Sequence, residues 1–157
     1  MDMTHYMELL TKNQPWFLLI FMAIPVILAE TIAISELVIL FSRNLNSGWR
    51  KVNRIAGIIV GIYFTAIFLY LFSNVVIPLT SSGGWRGPVD VIAVGFYLLG
   101  IIPLLGITLL ELGFIAKKRD EVEKLRLHAT FVGIFLVVSH IAMIFGMLNP
   151  SLMEMKM

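Results

Sequence analysis

The 157-residue chain contains no cysteine. Disulfides, thiolate metal sites and cysteine nucleophiles are therefore excluded, and cysteine usage says nothing of redox compartment. Charge is scarce too: Asp, Glu, Lys and Arg make up 14% of the residues, against roughly 25% in a typical soluble domain. There is no P-loop, nucleophile elbow, HExxH or dinucleotide fingerprint. The serines and histidines offer no nucleophile–base spacing, so no enzyme class stands out. No internal repeat is visible. The opening stretch "MDMTHYMELLTKNQPW" lacks the leading basic cluster of a cleaved signal peptide and carries Asp2 and Glu8 instead. That predicts a first apolar block retained as an anchor.

What the chain has in quantity is hydrocarbon. Hydrophobic residues make up 59% and the mean hydropathy is +0.91, which points to an integral membrane protein of one domain, residues 1–157. Four apolar blocks, near 16–41, 55–78, 90–116 and 127–148, reach the roughly 20 residues a helix needs to cross the hydrocarbon core. Backbone groups in lipid must be satisfied internally, so the blocks are predicted helices of an all-α four-helix bundle. Pro25 and Pro103 fall inside spans and are expected to kink them. "GIIVG", Gly57 to Gly61, permits close helix approach. It suits packing within one bundle, with a homo-oligomer seam as the alternative.

Basic residues set the predicted orientation. Arg43, Arg50, Lys51 and Arg54 lie in the 42–54 loop, and Lys117, Lys118, Arg119, Lys124 and Arg126 in the 117–126 loop, nine of the 12 in the chain. The positive-inside rule puts both loops in the cytoplasm and both termini on the outer side. The net charge of +2 is thus a topology signal; the expected partner is the lipid bilayer and not nucleic acid. Asp90, after Pro88, is a candidate cap for the third helix.

Ionisable residues inside spans cost about 3 kcal/mol each on insertion scales and are functional candidates by default. The stretch "IPVILAETIAISELVILF" (Ile24 to Phe41) holds two. With a rise of ~1.5 Å per residue, Glu30 lies almost at the bilayer centre and Glu36 roughly 10 Å toward the cytoplasm. Glu111 falls about 12 Å and His128 about 14 Å inward, whereas His140 falls about 5 Å outward. Two levels result: Glu36, Glu111 and His128 near the cytoplasmic mouth with Tyr63 not far above, and Glu30 with His140 near the centre. On a helical wheel Val26, Ala29 and Ala33 form the flattest arc of the first span, with both glutamates at its borders.

These groups suit a proton or ion path, with Glu30 the site whose protonation changes with access. The plainer alternative pairs Glu36, Glu111 and His128 with basic loop residues. For Glu30 it is a hydrogen bond to Thr31, a tyrosine or a histidine. A different class of function is a b-type haem held by histidine. His128 and His140 stand about 120° apart on the wheel and cannot share one haem. His5 could join His140 only if the N-terminal segment folds over the outer mouth. Methionines gather at both ends, and Met3, Met7, Met153 and Met155 with His5 would suit an outer copper site; adaptable apolar tails are the alternative.

With "HYMELLTKNQPW", the glutamate-bearing first span and "SGGWRGPVDVIAVGFYLLGIIPLLG" in view, the chain resembles a group of small bacterial four-span inner-membrane proteins, sometimes loosely labelled permeases. The likeness runs through most of the chain. It implies a multi-pass protein of the bacterial inner (cytoplasmic) membrane and carries no substrate or catalytic residue with it.

Overall fold

The computed structural model describes residues 3–153. It is helical, and four helices are long and apolar enough to cross a membrane: Trp16–Ser42, Gly48–Ser82, Pro88–Glu111 and Glu121–Met147. They are called the first to fourth spans. A short helix, His5–Thr11, precedes them. Consecutive spans pack side by side, and the ring closes through a slighter contact between the first and the fourth. The described chain begins and ends at one end of the bundle (the terminal end), and the basic connections lie at the other (the loop end).

The exterior is apolar: Ile62, Leu69, Ile102 and Val137 are each more than 60% exposed. The polar groups are turned inward, with Ser35, Glu36, Asn53, Thr108, Glu111 and His128 all buried. So large an apolar surface is untenable in water and natural in lipid. The chain is a multi-pass membrane protein.

Four span boundaries differ from expectation by four residues or more, each for a local reason; the fourth helix begins at Glu121, where Asp120 caps it by accepting from Glu123 N. The second helix begins at Gly48, which moves Arg50, Asn53 and Arg54 from a loop onto a helix face. It also runs on through Pro78 to Ser82, by way of a π-turn at Phe72–Val76. The third helix stops at Glu111. There Gly113 takes φ +80°, and Gly113 N and Phe114 N donate to the carbonyls of Leu110 (3.1 Å) and Leu109 (2.9 Å). That is a Schellman stop, which glycine adopts without a Cβ clash.

Both expected kinks involve their prolines. The third helix breaks at Gly100, three residues before Pro103. In the first span a π-turn, Leu19–Ala23, precedes Pro25. Proline has no N–H to give, so the carbonyls of Ile20 and Phe21 lose their helical donors. Two tyrosines replace them. Tyr63 Oη donates to Ile20 O at 2.9 Å and Tyr97 Oη to Phe21 O at 2.5 Å.

The G-x-x-x-G pair is consumed inside the bundle. A Cβ on Gly61 would stand 1.8 Å from Thr108 Oγ1 and 2.8 Å from Leu104 O. Thr108 Oγ1 donates to Gly57 O at 2.9 Å. The second and third spans thus lie backbone against side chain, with no room there for another copy.

Candidate functional site

The face of the first span settles which glutamate does what. Pro25, Ala29, Ile32, Ser35, Glu36 and Ile39 are buried, whereas Val26 is exposed and Ala33 only half-buried. The packing face is therefore rotated from the small-residue arc read in the sequence. Hydrogen bonding decides it. Asn53 Nδ2, on the second span, donates to Ile32 O (3.2 Å) and Ser35 Oγ (3.0 Å), and Glu36 meets His128. Glu36 lies within the face, and Glu30 is left outside it.

At the loop end all four spans contribute to one charged cluster. His128 Nδ1 pairs with Glu36 Oε1, and its Nε2 stands 3.5 Å from Glu111 Oε1 without hydrogen-bond geometry. Arg50 donates to both Glu111 oxygens (2.7 and 3.3 Å) and reaches Asn53 Oδ1 (3.1 Å) and Glu121 Oε2 (3.4 Å). Arg54 adds a longer contact to Glu111 Oε2, 3.9 Å. Glu111 and Glu121 accept from Arg50, Lys124 Nζ pairs with Glu121 Oε1 at 3.0 Å, and His128 completes the cluster through Glu36. Gly57 makes room for it: a Cβ there would lie 3.1 Å from His128 Nε2. Glu111, in the last helical turn, sits where a carboxylate opposes the helix dipole; the arginines offset that cost.

Glu36, Glu111 and His128 are thus in contact. Tyr63 is not among them, because its hydroxyl serves the Ile20 carbonyl. Arg50 and Asn53 belong to the cluster and were not singled out in the sequence. Their signal was present: positions 50, 53, 57 and 61 follow the i+3/i+4 spacing of one helix face, which reading 42–54 as a loop conceals.

Toward the terminal end the seam between the first and fourth spans opens into a cavity of about 190 Å³. Its walls include Phe21, Phe64, Phe96, Tyr97 and Phe135, and its polar groups include Glu30, Ser139 and His140. Glu30 and His140 are both exposed along this seam, so the cavity opens sideways. Glu30 is one residue from the midpoint of Trp16–Ser42. No hydrogen bond or ion pair engages its side chain among the described residues. The partners expected for it are committed elsewhere: Thr31 to Ile27 O (2.7 Å), the two tyrosines to the first-span carbonyls, and His140 Nδ1 to Leu136 O (2.6 Å). Glu30 and His140 share the cavity without pairing.

A roof covers the terminal end. Thr4 caps the His5–Thr11 helix by accepting from Met7 N, and its hydroxyl donates to Gly146 O at 2.7 Å. Tyr6 lies against Gly146, where a Cβ would meet its ring at 2.6 Å, and lines the cavity below. Burial pushes the Tyr6 hydroxyl up to about 12, so it stays protonated. Asp90, fully buried, accepts from His5 N (2.6 Å) and meets His5 Nδ1 at 2.5 Å. Arg86 binds Glu8 Oε2 at 2.5 Å. That hydrogen bond holds the Glu8 carboxyl below its ordinary range, with Lys12 adding to the effect. Asp90 had been read only as a helix cap.

The N-terminal segment does fold over the mouth, but His5 turns to Asp90 and lines a different cavity from His140. Met3 is exposed and Met7 packs on the core; the Met153 side chain and Met155 lie outside the described residues. Among the described residues no group of three or more His, Asp or Glu side chains is arranged to hold a metal ion.

No curated protein and no solved structure matches the chain. A family model does, over residues 1–157, and the chain belongs to that family, a family of unknown function (DUF6803).

Proposed function

We propose that the chain is a small ion- or proton-linked permease of a bacterial inner membrane, with Glu30 as its exchange site. The observation that carries this reading is a carboxyl near the middle of the first span that lines an open cavity and has no partner among the described residues. Intramembrane carboxyls without a structural partner are characteristic of ion and proton pathways. The positive-inside rule puts the basic loops in the cytoplasm. The cavity then lies in the outer half of the bundle, and the Glu36–His128–Glu111–Arg50 cluster stops the passage beneath it. In this scheme Glu30 holds either a proton or the cargo. Release to the cytoplasm requires the carboxylates and cations of the lower cluster to exchange partners.

The test is reconstitution into liposomes with a pH-sensitive dye inside and an imposed proton gradient. Cations, anions and neutral solutes are added in turn. The expected result is proton flux dependent on one solute class, absent in Glu30→Gln. Equal flux in Glu30→Gln, or none with any class, overturns the reading.

A further inference from the structure

Resting on that reading, we infer that the Glu30 cavity takes an organic ammonium cation with an apolar body, reaching it sideways from the membrane. Charge complementarity leads here. A carboxylate at this depth needs a proton or a cation, and the described residues supply no cation to it. Apart from Ser139 and His140, the side chains around it are mostly apolar and aromatic. Phe21, Phe64, Phe96, Tyr97 and Phe135 line the cavity, and aromatic rings attract a desolvated cation. A hydrated metal ion would find few oxygen ligands among those rings, and an anion would face Glu30 itself.

Size and access narrow the class. About 190 Å³ falls below the ~300 Å³ of a pocket that encloses a drug-sized ligand. The head group and one ring fit, and any longer chain stays in lipid through the open seam. His140 contributes a second acceptor: with Nδ1 donating to Leu136 O, Nε2 of the neutral ring is free to receive an ammonium N–H.

Exchange balances simply. Protonated Glu30 loses its proton to water as the cation docks, and a carboxylate–cation pair replaces the O–H; no other covalent bond changes. Proton and cation therefore compete, and cation affinity rises with pH. The titratable groups that face the cavity with Glu30 are Tyr6, Tyr97 and His140.

The experiment uses the full chain in nanodiscs, with empty nanodiscs subtracted. The probe is benzyltrimethylammonium, whose permanent charge ensures that any released proton comes from the protein. Its neutral isostere, neopentylbenzene, serves as control. The expected result is saturable binding of the cation with a proton released for each cation bound. Glu30→Gln should weaken that binding by at least about tenfold and abolish the release, whereas Glu30→Asp should keep the release. Equal affinity for the neutral isostere, unchanged binding in Glu30→Gln, or no cation binding overturns the inference; the first outcome marks an apolar lipid groove. The two readings fail separately. Glu30-dependent cation binding without proton-coupled flux in liposomes rejects the permease and keeps the site. Flux driven by another solute class, with the cation ignored, rejects the cargo and keeps the permease.

Discussion

The two carboxylates of the first span, six residues apart, occupy opposite circumstances. Glu36 is buried among His128, Ser35 and Asn53, in a cluster drawn from all four spans. Glu30 is exposed to an open, aromatic cavity and has no partner among the described residues. About one and two-thirds turns of helix separate a group tied into the bundle from one without a partner among the described residues. Inside a membrane, ionisable residues are thus divided by whether their neighbours have spare hydrogen-bonding capacity. Around Glu36 they do. Around Glu30 the donors of Tyr63, Tyr97 and His140 are already spent on backbone carbonyls.

The contrast can be broken most severely at the loop end. Arg50→Ala leaves Glu111 buried with only the longer contacts to His128 and Arg54. Removing one partner of a buried pair costs about 3–5 kcal/mol, and the partial compensation puts this variant near the lower figure. Unfolding in mixed detergent should show it, and Arg50→Lys should restore only part because it cannot span both oxygens. The cavity wall comes next. Tyr97→Phe strips the donor from Phe21 O, at a cost of about 1–3 kcal/mol for an unpaired buried acceptor. Tyr63→Phe, whose hydroxyl is more exposed, should cost less by the same assay.

A smaller effect belongs to the roof. Glu8 is held below its ordinary 4.5 by Arg86 and Lys12. A carboxyl lowered on folding contributes stability that is present above 4.5 and lost as pH falls through its folded value. Trp85 emission, read with Trp16 and Trp49 replaced by Phe, should therefore change below about pH 4.5, and Glu8→Gln should remove that component. Smallest of all, Glu30→Gln should leave stability within about 0.5 kcal/mol. A large loss there would mean that Glu30 has a structural partner, and the division between the two glutamates would collapse.

Much of this was legible in the primary structure. Blocks of apolar residues located the four spans, and helical rise alone brought Glu36, Glu111 and His128 to one level. The faces were harder. Val26, Ala29 and Ala33 make the smoothest arc of the first span, yet Asn53 and His128 turn that helix toward Ile32, Ser35 and Glu36 instead. Side-chain size proposes a packing face, and hydrogen-bond demand in lipid chooses one. Asn53 and Arg50 were hidden by a helix that starts at Gly48, where hydropathy sees a loop. Asp90 was hidden because its partners, His5 and the Arg86 backbone, lie 85 and 4 positions away, and only the tertiary fold brings the N-terminal helix to it.

The fourth span is fastened twice, once to the first span and once to the short helix that precedes it. His128 grips Glu36 near one end, and Gly146 receives Thr4 and Tyr6 near the other. Eighteen residues separate the two fastenings along the fourth helix, about 27 Å. That is well beyond the roughly 10 Å within which neighbouring sites usually couple, and the two fastenings share no partner residue. Each fastening can be undone while the other holds, so one stretch of lipid-facing helix can serve as a slot with two independent ends.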